Sequence, residues 1–64
     1  MTRVAELFAD ATMALEDVHP VAVAGQRRDL APDAARALVG HLRAGMVALE
    51  AILAEIAVQL GAAP

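Results

Sequence analysis

Cysteine, tryptophan, tyrosine, serine and lysine are all missing from this 64-residue chain, and Phe8 is its one aromatic residue. Each absence excludes something. Without cysteine there can be no disulfide framework, zinc–thiolate site or thiol redox motif. Without serine, cysteine or tyrosine the usual nucleophiles are gone; Thr2 and Thr12 stand alone, and no glycine-rich phosphate loop is present. Glu50 and Glu55 lie five residues apart, about 140° around a helix, so they do not face each other as a carboxylate pair. The expectation is a protein that is not an enzyme and takes no cofactor. Five arginines, no lysine and eight acids give a net charge of −3. That balance lacks the basic footprint of a nucleic-acid module.

What the chain has in abundance is small apolar residues. Apolar types make up 59% of it, and 17 of its residues are alanine. This rules out a charge-rich disordered tail. It also implies a thin core, because alanine buries little area at ~25 cal/mol per Å². A chain below ~70–80 residues usually leans on disulfides, metal or oligomerisation for stability. Disulfides are excluded. Metal is poorly supported, because His19 and His41 share no ligand spacing with each other or with Asp17, Glu16 or Glu50. Oligomerisation is left.

Two helices are expected. The first covers about 3–18, with a seam of Val4, Leu7, Ala11, Ala14 and Val18 flanked by Phe8 and Leu15. Thr2 is a candidate N-cap, Met13 falls off the stripe, and Pro20 should stop the helix. Residues 19–31 then form a connection, long for a helix–helix link, holding Val21, Val23, Gly25 and Leu30. The second helix covers about 32–60, with Pro32 at its first position, Asp29 and Asp33 near its positive end, and Gly61 just past its end. Ala62, Ala63 and Pro64 should fray. About 29 residues make a rod of about 43 Å, against about 24 Å for the first helix. A short partner would leave much of the long rod's apolar seam uncovered.

The long helix also carries a small-residue face of Ala34, Ala37, Gly40, Ala44, Ala48, Ala51 and Ala54. Helix-interior glycines such as Gly40 and Gly45 often mark a close backbone approach. So this helix is expected to be buried on more than one side, with a narrow solvent stripe of Arg36, Arg43 and Glu50 flanked by His41 and Glu55. Charge is unevenly spread: −3 over residues 1–19, +2 over 20–43 and −2 over 44–64. An antiparallel hairpin would bring Glu16 and Asp17 near Arg36, and Arg3 towards the acidic end of the second helix. Such surface pairs select direction more than they stabilise. Glu50 and Glu55 read either as solubilising charges at the edge of a bundle or, more sharply, as residues that select register or partner across a subunit interface, for instance by pairing with Arg3 or Arg43 of another chain.

The expected fold class is therefore all-α: one helix–loop–helix hairpin domain with a long second helix. It is expected to dimerise into a four-helix bundle, with a tetramer as the next choice. The expected oligomer interface is Leu38, Leu42, Gly45, Met46, Ala48, Leu49, Ile52, Leu53, Ile56 and Leu60. The function read from this pattern is a non-catalytic, self-associating protein-interaction or assembly module, with a further protein as a candidate partner. The alternative is a small nucleic-acid-binding regulator using Arg27, Arg28, Arg36 and Arg43, which the net charge disfavours. Acids at positions 6 and 10 interrupt any signal-like stretch, and Glu50 and Glu55 interrupt the most apolar run, so no membrane association and a cytoplasmic location are expected.

Overall fold

The computed structural model describes residues 2–61, with side chains from Arg3 onward. Two helices account for nearly all of it: α1, Thr2–Ala24, and α2, Pro32–Gln59. They fold back on one another as an all-α hairpin. The cap expected at Thr2 and the fraying expected of residues 62–64 lie outside the described side chains and residues.

Two expectations about α1 need correcting. Pro20 does not stop the helix, which continues for another turn to Ala24, so the connection shrinks to residues 25–31. An interior proline removes one backbone hydrogen bond and crowds the preceding turn, at a cost of ~3 kcal/mol or more. Two features offset that here. Pro20 is exposed, so the carbonyl left without a donor can turn to water. The extra turn also half-buries Val21 and Ala24 against α2, and fully burying a valine is worth ~1.5–3 kcal/mol. The length mismatch falls accordingly. At 23 and 28 residues, the helices are about 34 and 42 Å long, and uncovered length no longer explains an exposed α2.

The ends of α2 follow the sequence more closely. Pro32 opens it after an extended Ala31, Asp33 sits in its first turn, and Gly61 adopts a positive φ of 64° beyond Leu60. That left-handed position is where glycine avoids the penalty of a Cβ. The Leu60 and Gly61 amides donate to the Ile56 and Val58 carbonyls at 2.9 and 3.0 Å, satisfying carbonyls the helix would otherwise leave open.

The packing register can be read from two close approaches. A Cβ placed on Gly45 would run into Val18 Cγ1, and one placed on Gly25 would lie 3.9 Å from Leu38 Cδ1. From Val18 to Gly25 is one heptad forward, to the residue just past the end of α1; from Gly45 to Leu38 is one heptad back on α2. Antiparallel helices in this register set Leu7 level with Ile56, Ala11 with Ile52, Ala14 with Leu49 and Val21 with Leu42. The burial pattern agrees: every one of these residues is buried or half-buried. The covered residues of α1 recur as Val4, Leu7, Ala11, Ala14, Val18 and Val21, and those of α2 as Ala35, Leu38, Leu42, Gly45, Leu49, Ile52 and Ile56; Ala24 and Glu55, outside these two series, are half-buried as well. Both series alternate steps of three and four, the 3.5-residue period of a coiled-coil seam.

The seam is thin. Leu7 at 3% exposed, Ile56 at 5% and Ala11 at 8% are the buried residues of the hairpin. The molecule is a ribbon of 48 × 19 × 11 Å with a radius of gyration of 15.1 Å. A compact chain of this length would have a radius near 11 Å, by roughly 2.2·N^0.38. The small-residue face of α2 is not covered within the hairpin: Ala34, Ala37, Gly40, Ala44, Ala48, Ala51 and Ala54 are all exposed. Gly45 makes the expected close approach, whereas a Cβ on Gly40 would meet nothing within 4 Å.

Candidate interaction surface

In a heptad, the two seam positions are flanked by a third on each side. Reversing one helix reflects its pattern, so like flanks meet on the same side of an antiparallel pair. One flank of α1 holds Phe8 and Leu15. The same flank of α2 holds Val39, Met46, Leu53 and Leu60, each seven residues from the next. All six are exposed, Phe8 at 54% and Met46 at 58%. They fall along one broad side of the ribbon, spaced from Val39 to Leu60 over about 31 Å of helix. The opposite flank carries Arg3, Asp10 and Asp17 from α1 and His41 and Glu55 from α2, with alanines between. The ribbon is thus two-faced, with one broad side apolar and the other polar.

The surplus of surface is measurable. The chain exposes 4844 Å². The mass scaling for folded monomers gives about 3,900 Å² for 6.6 kDa, an excess on the order of 900 Å². At the loop end the apolar side deepens into an open cavity of about 320 Å³. It is lined by Val21 and Ala22 of α1, by Gly25, Gln26 and Leu30 of the connection, and by Ala35, Leu38, Val39 and Leu42 of α2.

The residues expected at an oligomer interface divide into three groups. Leu38, Leu42, Gly45, Leu49, Ile52 and Ile56 lie in the seam and are covered, fully or in part, by α1. Met46, Leu53 and Leu60 lie on the uncovered apolar side, and Ala48 lies on the polar side. In the sequence the first two groups form one continuous apolar stripe. The signal that separates them is the seven-residue recurrence of Val39, Met46, Leu53 and Leu60 beside the three–four recurrence of the seam. Phe8 and Leu15 were read as seam flanks, and the hairpin places them on the same broad side. Met13, Val23, Val47 and Val58 are exposed elsewhere on the ribbon; scattered apolar residues of this kind are ordinary.

The polar candidates do not converge. Arg27 donates to Asp29 through two contacts of 3.2 and 3.1 Å, and Arg36 donates to Asp33 at 2.6 Å. Arg3 pairs with Glu6 at 3.7 Å. The cross-helix pairing expected between Glu16 or Asp17 and Arg36 does not form: the register sets Arg36 level with residue 27, far along α1 from both acids, and Arg36 pairs with Asp33 of its own helix instead. Arg28 and Arg43 have no ion-pair partner among the described residues. Arg27 and Arg28 sit at the loop, and Arg36 and Arg43 along the outer edge of α2. His19 and His41 are exposed, and no group of three potential metal ligands occurs among the described residues.

By length and composition alone, α2 is also apolar enough to cross a membrane, with a mean hydropathy of 1.5 over an 18-residue stretch. Fold and surface together define a class: an all-α antiparallel helical hairpin with one apolar broad side. Comparison with known protein families, curated proteins and solved structures finds no match.

Proposed function

We propose that this protein is a non-catalytic assembly module whose hairpins associate through their apolar broad side, two copies forming a four-helix bundle. The observation that carries the reading is the six-residue apolar flank on one side of a seam that buries so little. A standard interface removes ~800 Å² from each partner, close to the surface this chain exposes beyond a compact monomer of its mass. Burying the flank of a second copy converts a two-helix seam into a core with contacts on two sides, which suits a chain too small to build one alone.

Assembly in water rather than in lipid is the reading adopted. Each heptad of α2 holds a charge, from Asp33 and Arg36 through Arg43 and Glu50 to Glu55, and intramembrane charges are costly. Co-expression of tagged and untagged copies tests the proposal. Capture of the tagged chain is expected to retain the untagged one in the absence of detergent. A double variant, Met46→Glu with Leu53→Glu, is expected to abolish that retention while remaining helical. Retention that survives the double variant, or no retention of the unaltered chain, removes the basis for the reading.

A further inference from the structure

Phe8 and the cavity at the loop end lie on the same apolar side but at opposite ends of it. Ala22, in the lining of the cavity, is fourteen residues further along α1, about 21 Å away. Within one chain the two cannot meet. We propose that the cavity is the receptor for Phe8 of a second copy, in a two-fold dimer whose hairpins stack apolar side to apolar side with their loops at opposite ends. This rests on the self-association proposed above and specifies its geometry.

Three observations converge on it. The first is charge. The half of the ribbon nearest the loop, residues 20–43, has a net charge of +2; the other half carries −3 from residues 1–19 and −2 from 44–64. Stacking with loops at opposite ends sets the positive half of each copy against the negative half of the other. Stacking with loops together opposes like halves instead, which complementarity disfavours.

The second is the register. Arg43 and Glu50 lie one heptad apart on the outer edge of α2, and neither has an ion-pair partner among the described residues. A two-fold axis level with the bond between residues 46 and 47 sets Arg43 of each copy opposite Glu50 of the other. The hairpin register carries that axis to a level between residues 16 and 17 of α1. The same rotation then sets Phe8 level with residue 25 of the second copy, where the cavity lies. The axis position that pairs Arg43 with Glu50 also brings Phe8 to the cavity.

The third is shape. The partner flank at that level is small, with Ala22 on α1 and Gly25 just past its end, and the opening is about 320 Å³. An apolar cavity of about 150 Å³ already accepts benzene. A two-fold contact repeats each interaction, so both cavities fill at once.

Because Phe8 is the one aromatic residue, its ring protons are an isolated magnetic probe. In a mixed sample of isotope-labelled and unlabelled chains, nuclear Overhauser contacts are expected from the Phe8 ring of one copy to the methyls of Leu38 and Val39 of the other. Phe8→Ala is expected to raise the dimer Kd about 30-fold or more, as for an interface anchor, with no loss of helicity. Arg43→Glu and Glu50→Arg are each expected to weaken the dimer about tenfold, and the double exchange to restore it. A dimer whose Phe8 contacts run only to Leu53 or Leu60, or whose affinity ignores the charge exchanges, overturns this arrangement and leaves self-association standing. A chain that stays monomeric overturns both.

Discussion

Gly40 and Gly45 sit five residues apart in the interior of one helix, and replacing each with alanine should move stability in opposite directions. Propensity alone treats them alike: glycine costs ~1 kcal/mol relative to alanine in a helix interior. At Gly40 a Cβ meets nothing within 4 Å, so Gly40→Ala should realise that gain of ~1 kcal/mol. For a domain of this size the melting temperature should rise by about 4–8 °C. At Gly45 the new Cβ would collide with Val18 Cγ1 and lie 3.5 Å from Val18 Cβ. Valine in a helix is held to essentially one rotamer, so it cannot swing clear, and the helices must separate. Overpacking costs ~1–3 kcal/mol, and Gly45→Ala should destabilise by about 1 kcal/mol after the propensity gain. Thermal unfolding followed by circular dichroism, at one fixed chain concentration, reads both changes. The double variant Val18→Ala with Gly45→Ala removes the collision, so Gly45→Ala should become stabilising in that background, a coupling of about 2 kcal/mol. If Gly45→Ala stabilises the unaltered protein as Gly40→Ala does, Val18 does not face Gly45, and the register is wrong.

Other substitutions test separate parts of the structure. Pro20→Ala restores an amide donor in the last turns of α1 and should raise stability by up to ~3 kcal/mol, read as a higher midpoint in urea. Leu49→Asp or Ile52→Asp puts an unpaired charge into the seam and should abolish cooperative unfolding and most helicity by circular dichroism. Titration with duplex DNA and with structured RNA at two salt concentrations should show no salt-dependent binding, since the chain carries a net charge of −3 and its four candidate arginines do not converge on one patch; tight binding that weakens steeply with salt would support the nucleic-acid reading instead.

The hairpin, the start of α2 at Pro32 and the glycine stop at Gly61 were legible in the sequence because each rests on local chemistry: a proline suited to a first turn, a glycine suited to positive φ, and apolar residues at helical spacing. The end of α1 was not. A proline's local penalty at position 20 is tolerated because Val21 and Ala24, one turn on, meet α2, and that meeting exists only in the folded hairpin. The candidate surface was half legible. That α2 carries more apolar residues than one seam can use follows from the sequence. Which of them face α1 does not, until Val18 opposite Gly45 fixes the phase and turns Val39, Met46, Leu53 and Leu60 outward beside Phe8 and Leu15. The cross-helix ion pairs failed for a related reason: the phase that sets Val18 opposite Gly45 puts Arg36 level with residue 27 and not with Glu16 or Asp17, so Arg36 meets only the acid on its own helix.

The molar mass of the unaltered chain in detergent-free buffer bears most directly on all of this. Light scattering with refractive-index detection suits a protein lacking tryptophan and tyrosine. Across micromolar concentrations the mass should be twice 6.6 kDa. A stable, cooperatively folded species of 6.6 kDa over the same range would mean that the apolar side faces water without a second copy to cover it, and the account would be wrong at its centre.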